Sequence, residues 1–231
     1  ALIDLRQHQG VHPRIGSTDV IPFVPLQPAY MDECIELAKV VGSRVSAELG
    51  IPIFLYERAA TETPRSLEDI RRGSLEGLTD RMRSEPKWAP DFGGRDPHPT
   101  AGVTAIGARP ILVAFNVNLA SDDLATAKTI ARTIRTSSGG FKHIKAMGVR
   151  LECRGIVQVS MNLTNITVTS LQQVFKAVKA EASKHSVGIA GSQIVGLVPE
   201  EAIVPVDGVD LQLENFNSSQ ILDRRLATLS F

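Results

Sequence analysis

The stretch PILVAFNVNLASDDLATAKTIARTIRTSSGG, residues 110–140, decides the fold. It begins as a continuous apolar run and passes into alternation at Asn116, Val117, Asn118 and Leu119, so residues 111–119 read as a strand. Ser121 offers a side-chain oxygen to cap a following helix, and Asp122 and Asp123 suit the positive N-terminal end of one. Leu124, Ala127, Ile130, Ala131 and Ile134 then recur at helical spacing, and Gly139 with Gly140 supplies the stop.

Downstream, two alternating runs, 144–153 and 156–163, flank Arg154 and Gly155, the pattern of a tight hairpin. Thr169 and Gln172 have capping-box spacing, and Leu171, Val174, Phe175 and Val178 mark the buried stripe of a second helix. A last short strand covers residues 187–190. The order is β-α-β-β-α-β, the ferredoxin-like split arrangement.

Upstream, only part of that pattern is present. Residues 20–26 read as a strand, Cys34, Ala38, Val41, Val45 and Leu49 as one helix face stopped by Gly50, and residues 51–56 as another strand. Two strands and one helix leave apolar faces uncovered, so further elements before Ala1, or a second chain, are expected to complete this block. The fold class is α+β, an α/β sandwich of two ferredoxin-like βαββαβ-type subdomains, the first incomplete at its N-terminus. Between the blocks, Ser66 with Asp69 can cap a helix ending at Gly73. EPKWAPDFGGRDPHPTAG, residues 85–102, follows, too rich in proline and glycine for regular structure. Such a segment is a linker or a functional loop, and it carries Trp88, Phe92, Arg95 and His98. Residues 218–229 read as a helix with no assigned chemistry.

Composition narrows the function. The 231 residues are 43% hydrophobic and 22% charged, with 25 Lys+Arg against 25 Asp+Glu. A balanced charge provides no global field to hold nucleic acid or an anionic membrane surface, and no apolar run is long enough to span a bilayer. A cytoplasmic protein is expected. Cys34 and Cys153 sit in apolar patterns as small buried hydrophobes, with neither a disulfide framework nor a metal-ligand spacing.

HQGVHPRIGSTDVIPF, residues 8–23, places His8 and His12 four apart. A zinc site on one helix face is disfavoured, because Gly10 lies between the two and Pro13 pushes the residue before it out of the helical region. Acid/base chemistry suits His12 better, with Arg14 able to hold a carboxylate and Asp19 able to fix an imidazole tautomer. A simple turn with a surface Arg14–Asp19 pair explains the same residues. RTSSGGFKHIK, residues 135–145, is likewise either a place where backbone approaches an anion or an ordinary glycine helix stop.

HPRIGSTDVIPFVP at 12–25, WAPDFG at 88–93, IGARPILVAFNVNL at 106–119, QVSMNL at 158–163 and GSQIVGLVP at 191–199 together resemble the glutamate formimidoyltransferase (formiminotransferase domain) family. The resemblance implies transfer of a formimino group between 5-formiminotetrahydrofolate and L-glutamate, in histidine degradation, with tetrahydrofolate as co-substrate and no metal. It implies two α/β subdomains whose sheets face a folate tunnel. It divides the chain into the C-terminal part of a first subdomain at 1–84, a connecting loop at 85–102 and a second subdomain at 103–231. His12 takes the place of the family's general base or acid. Folate contacts fall on Gly93, Gly94, Arg95, Asp96, Pro97, His98, Pro99, Thr100, Ala101 and Gly102, and on Gly139, Gly140 and Phe141. Arg14 and Asp19 are supporting candidates, and Arg14, Arg95, Arg109 and Lys142 are candidate carboxylate anchors on charge alone. The resemblance starts after the family's opening V-P-N-F-S-E-G-like motif and does not extend to a cyclodeaminase domain, so only the transferase reaction is expected. A glycine acceptor, a 5-formyltetrahydrofolate donor or a non-catalytic folate-binding module stay open. Exposed sheet edges leave room for a homodimer, with no nucleic acid or membrane partner expected.

Overall fold

The computed structural model describes residues 3–8, 13–26, 28–61, 65–206 and 208–229. The chain divides into two compact units, Ala1–Ile111 and Leu112–Phe231.

The first unit contains β1 (Val20–Phe23), α1 (Met31–Leu49), β2 (Ile53–Glu57), α2 (Leu67–Arg71), α3 (Ser74–Ser84) and β3 (Thr104–Ala108). β3 lies between β1 and β2 and runs parallel to both, with Val20 opposite Ala105 and Ile53 opposite Thr104. Helices cover the two faces of this sheet. Ile53 and Leu55 meet Cys34 and Ala38 of α1 on one side, while Phe54 and Tyr56 meet Ile70, Leu78 and Met82 on the other. A strand buried on both faces has no polar register, which is why β2 is a continuous apolar run. α1 ends as its glycine requires, with Gly50 at φ +66° donating its N–H to Ser46 O at 2.9 Å. Ser66 caps α2 by accepting the Asp69 N–H at 3.2 Å.

Residues 85–102, expected to connect two blocks, lie inside the first unit, and residues 104–108, expected to belong to the second, form the central strand of the first sheet. A strand inserted parallel between two others needs a long crossover to bring the chain back to the same end of the sheet, and residues 58–103 supply it. The strand is small-residued for a packing reason: a Cβ on Gly107 would lie 2.4 Å from Tyr56 O.

The second unit contains β4 (Val113–Leu119), α4 (Leu124–Ile134), β5 (Ile144–Leu151), β6 (Ile156–Leu163), α5 (Leu171–Lys184), β7 (Ile189–Val195), α6 (Glu200–Ile203) and α7 (Leu222–Ala227). Its sheet has the order β5-β6-β4-β7 with antiparallel neighbours, the split β-α-β-β-α-β arrangement expected. Val113, Phe115, Val117 and Leu119 of β4 join Val157, Val159, Met161 and Leu163 of β6 beneath α4 and α5. The alternate positions, Asn116, Asn118, Gln158 and Ser160, give the opposite face a polar character, with Asn118 and Gln158 buried there.

Several local expectations shift. Asp123, not Ser121, caps α4, accepting from Ala125 N–H at 2.9 Å and Thr126 N–H at 3.3 Å, while Ser121 Oγ accepts the Asp123 N–H. The capping box of α5 is Ser170 with Gln173, one residue beyond the expected pair. Thr169 instead donates to Lys142 O at 2.8 Å, and buried Gln172 donates to Val204 O at 2.9 Å. Cys153 is exposed in the turn between β5 and β6 rather than buried in a strand. Among the described residues no helix is long and apolar enough to cross a membrane.

Candidate functional site

His12 lies outside the described residues. The segment that follows it is closely held. The Ser17 N–H donates to Ala101 O at 2.9 Å, Ser17 Oγ to Thr100 O at 3.2 Å, and the Val103 N–H to Ile15 O at 2.9 Å. Gly16 and Gly102 face each other across an antiparallel bridge. A Cβ on Gly16 would sit 2.0 Å from Val103 O, and one on Gly102, at φ +72°, 2.4 Å from Ile15 O. Only glycine at both positions permits this approach. The turn after His12 and the end of the 93–102 loop therefore form one structure.

Asp19 closes the turn. Its Oδ1 accepts the Ile15 N–H at 2.6 Å and the Gly16 N–H at 3.2 Å, and its Oδ2 pairs with the Arg71 guanidinium. Its described bonds thus go to backbone and to Arg71, a partner with no sequence signal. The two supporting candidates are not paired as a surface explanation would have it. Arg14 donates from Nε to His8 Nδ1 at 3.1 Å and from Nη2 to Leu5 O and His8 O. This occupies one ring nitrogen of His8.

Within the loop, His98 and Gly102 exchange backbone hydrogen bonds of 2.9 Å in each direction. His98 Nδ1 accepts from the Thr100 N–H at 3.3 Å and the Ala101 N–H at 3.0 Å. In the neutral ring this puts the proton on Nε2 and leaves that nitrogen as a donor. Arg95 is committed to the end of α3 through Met82 O at 2.6 Å and Pro86 O at 3.4 Å. Asp96 pairs with Arg83 at 2.8 Å on the surface. Gly93 and Gly94 are exposed, and Pro97 and Pro99 fix the backbone on the path back to Thr100 and Ala101.

The WAPDFG run anchors this loop from its other end. Asp91 and Arg65 form an ion pair of 2.5 Å with both side chains 6% exposed, and Asp91 also accepts the Leu55 N–H at 2.8 Å. Arg65 lies 5.1 Å from the centroid of the Phe54 ring, and Arg81 lies 4.0 Å over Trp88. Phe92 O accepts the Ile53 N–H at 2.9 Å. Buried Tyr56 has its hydroxyl pushed upward in pKa by burial, against the opposing charge and hydrogen bond of Arg109.

In the second unit, Gly139 at φ +85° ends a short turn after α4. The N–H groups of Gly139, Gly140 and Phe141 donate to Thr136 O, Arg135 O and Ile134 O at 3.0, 3.0 and 2.9 Å. These backbone donors are spent internally, so a ligand at this segment meets the exposed side chains of Phe141 and Lys142. On the polar face of the sheet, Glu214 accepts from Arg154 at 2.7 Å, from Asn118 at 3.3 Å and from Gln193 at 3.3 Å. Gln158 in turn donates to Asn118 Oδ1 at 2.8 Å. The Arg154 hydrogen bond holds the Glu214 carboxyl below its ordinary range despite partial burial.

Two family descriptions match the chain, "Formiminotransferase domain, N-terminal subdomain" at residues 1–109 and "Formiminotransferase domain" at residues 114–224. The glutamate formimidoyltransferase of Streptococcus pyogenes serotype M1 is 49% identical over 226 residues, covering 97% of this chain and 75% of that protein. The protein of the same name from Thermoplasma acidophilum is 43% identical over 232 residues, again 97% and 75%. A formimidoyltransferase-cyclodeaminase of Sus scrofa is 40% identical over 221 residues, 93% of this chain and 40% of that protein.

Proposed function

The chain belongs to the formiminotransferase family, and from that membership we infer that it is a transferase moving a formimino group between N-formimino-L-glutamate and tetrahydrofolate. In the direction that consumes formiminoglutamate, the folate N5 attacks the formimino carbon, the bond from that carbon to the glutamate nitrogen breaks, and glutamate leaves as the amine. The attacking nitrogen must lose a proton and the leaving nitrogen must gain one. A single imidazole titrating near neutrality performs both transfers in turn, a contribution of roughly 10²–10⁴-fold. We assign that role to His12.

The observation that carries the reading is the docking of the turn after His12 onto the 93–102 loop through Gly16, Ser17 and Gly102. Ser17 and Thr100, 83 residues apart, belong to a segment that follows the HPR residues and to the loop on which the resemblance puts folate contacts, and hydrogen bonds join the two, which suits a proton carrier acting with a folate-binding loop. His98 contributes an oriented Nε2–H donor to that loop. Phe141 presents a ring in the second unit and Lys142 a cation for a folate carboxylate, whereas Arg95 and Arg14 are already engaged and serve the architecture of the turn and loop.

The test is an assay with formiminoglutamate and tetrahydrofolate that follows formation of 5-formiminotetrahydrofolate. Wild-type protein is expected to turn over, and His12→Ala to lose transfer while keeping folate affinity within a few-fold. Full activity in His12→Ala would remove the proton-carrier role, and folate binding without any turnover by wild type would favour a binding module.

A further inference from the structure

We propose that Arg71, at the end of α2, is a positioning residue for the transfer reaction, acting through Asp19 on the turn that follows His12 in the sequence. The inference rests on the assignment of His12 as proton carrier. The chain of contacts is short. The Arg71 guanidinium engages Asp19 Oδ2, and Asp19 Oδ1 gathers the N–H groups of Ile15 and Gly16, three and four residues beyond His12. A carboxylate held by an arginine at one oxygen has its rotamer fixed, so the other oxygen is held against the turn. Backbone bonds from Val103 and Ser17 set where the turn lies, and Asp19 sets its curvature at Ile15 and Gly16.

Two features separate this contact from ordinary surface pairing. Arg71 and Asp19 are only 29% and 21% exposed, and they join elements 52 residues apart rather than neighbours on one helix. In addition, Arg71 Nε is buried with no hydrogen-bond partner among the described residues. A buried donor left unpaired opposes folding, so an arginine here is a poor choice for stability alone. An arginine at this position fits a demand for geometry at Asp19. Displacing a general acid/base by about an ångström costs on the order of a hundredfold in rate.

The experiment compares Arg71→Met, Asp19→Asn and the double variant in the formiminoglutamate and tetrahydrofolate assay. Each single variant is expected to lower kcat by about ten- to a hundredfold with KM for both substrates within about threefold. The double variant is expected to fall no further than about twofold below the worse single, because both changes break one linkage. In a His12→Ala background, Arg71→Met should leave the residual rate unchanged, whereas a general structural defect would lower it again. Should Arg71→Met fail to fold, Asp19→Asn, which leaves no carboxylate unpaired, carries the same test. Wild-type kcat in the folded variants, or losses that multiply in the double variant, would overturn the proposal. A fully active His12→Ala would instead overturn the proton-carrier reading, which the same set of proteins reports separately.

Discussion

Asp91 shows how much one side chain can hold. Its carboxylate meets Arg65, the Leu55 N–H and Thr61, and both members of the ion pair are 6% exposed. Removing one partner of a buried pair strands the other charge, so Asp91→Ala is expected to destabilise the protein by about 3–5 kcal/mol. Chemical denaturation measures this, and a loss below about 1 kcal/mol would mean that the pair is dispensable. Glu214 gives a prediction in pH. Arg154 first, then Asn118 and Gln193, hold its carboxyl below the ordinary value of 4.5, so the folded state takes up this proton less readily than the unfolded chain. A depressed carboxyl contributes stability that is complete above the unfolded value and is lost as pH falls through the folded one. The Tm difference between wild type and Glu214→Gln should therefore be constant near neutrality and shrink below pH 4.5. A difference that persists unchanged into acid would show that the carboxylate's charge is not what stabilises this network.

At the scale of elements, the junction of the 13–19 turn with the 93–102 loop depends on backbone approach that side chains forbid. Gly102→Ala adds a methyl 2.4 Å from Ile15 O at φ +72°. Gly155→Ala, in the turn between β5 and β6, adds one at φ +62° with nothing within 4 Å. Both carry the left-handed cost of about 1–2 kcal/mol, but only the first must also separate the turn from the loop. Gly102→Ala is thus expected to raise KM for tetrahydrofolate at least about tenfold while Gly155→Ala leaves it near wild type. Equal kinetics in the two variants would dissociate the junction from folate binding. The same contrast explains what could be read in advance. α4 and α5 bury one stripe each, so Ile130, Ala131, Val174 and Phe175 announce them. β3 was not legible, because Thr104–Ala108 is short, small and buried on both faces, and both of its partners lie before a long crossover. The helix starts moved by one or two residues because adjacent Ser, Thr and Asp side chains compete for the same exposed N–H groups, and sequence does not say which wins. His12 and Gly16 stood in a recognisable motif, and Gly102 ended a stretch marked by its proline and glycine content. Arg65, Arg71 and Glu214 did not, since lone charges acquire meaning only from partners 26, 52 and 60 residues away.

Across the whole molecule, the two units differ in how their cores are made. In the first, a three-stranded sheet separates two small clusters, one under α1 and one under α2 and α3, and its central strand arrives last in the chain. In the second, four strands and two helices enclose one continuous cluster built from every strand of the sheet and from both α4 and α5. β5 pairs with β6 through a hairpin, β4 pairs with β6 and β7 from later in the chain, and the C-terminal segment of the unit returns to the sheet where Leu213 bridges Ser192. A closed split β-α-β-β-α-β unit with its own core meets the conditions for independent folding. A fragment spanning residues 112–231 is therefore expected to unfold in one cooperative transition by circular dichroism and calorimetry, and to bury its core as the full chain does. Val159→Ala, which empties a fully buried site between β6 and the helices, should lower the stability of the fragment and of the full chain by the same amount, about 1–3 kcal/mol. Because His12 and the 93–102 loop belong to the first unit, the fragment should fold without transferase activity. A fragment that lacks a cooperative transition would mean that the second unit draws part of its stability from residues before Leu112.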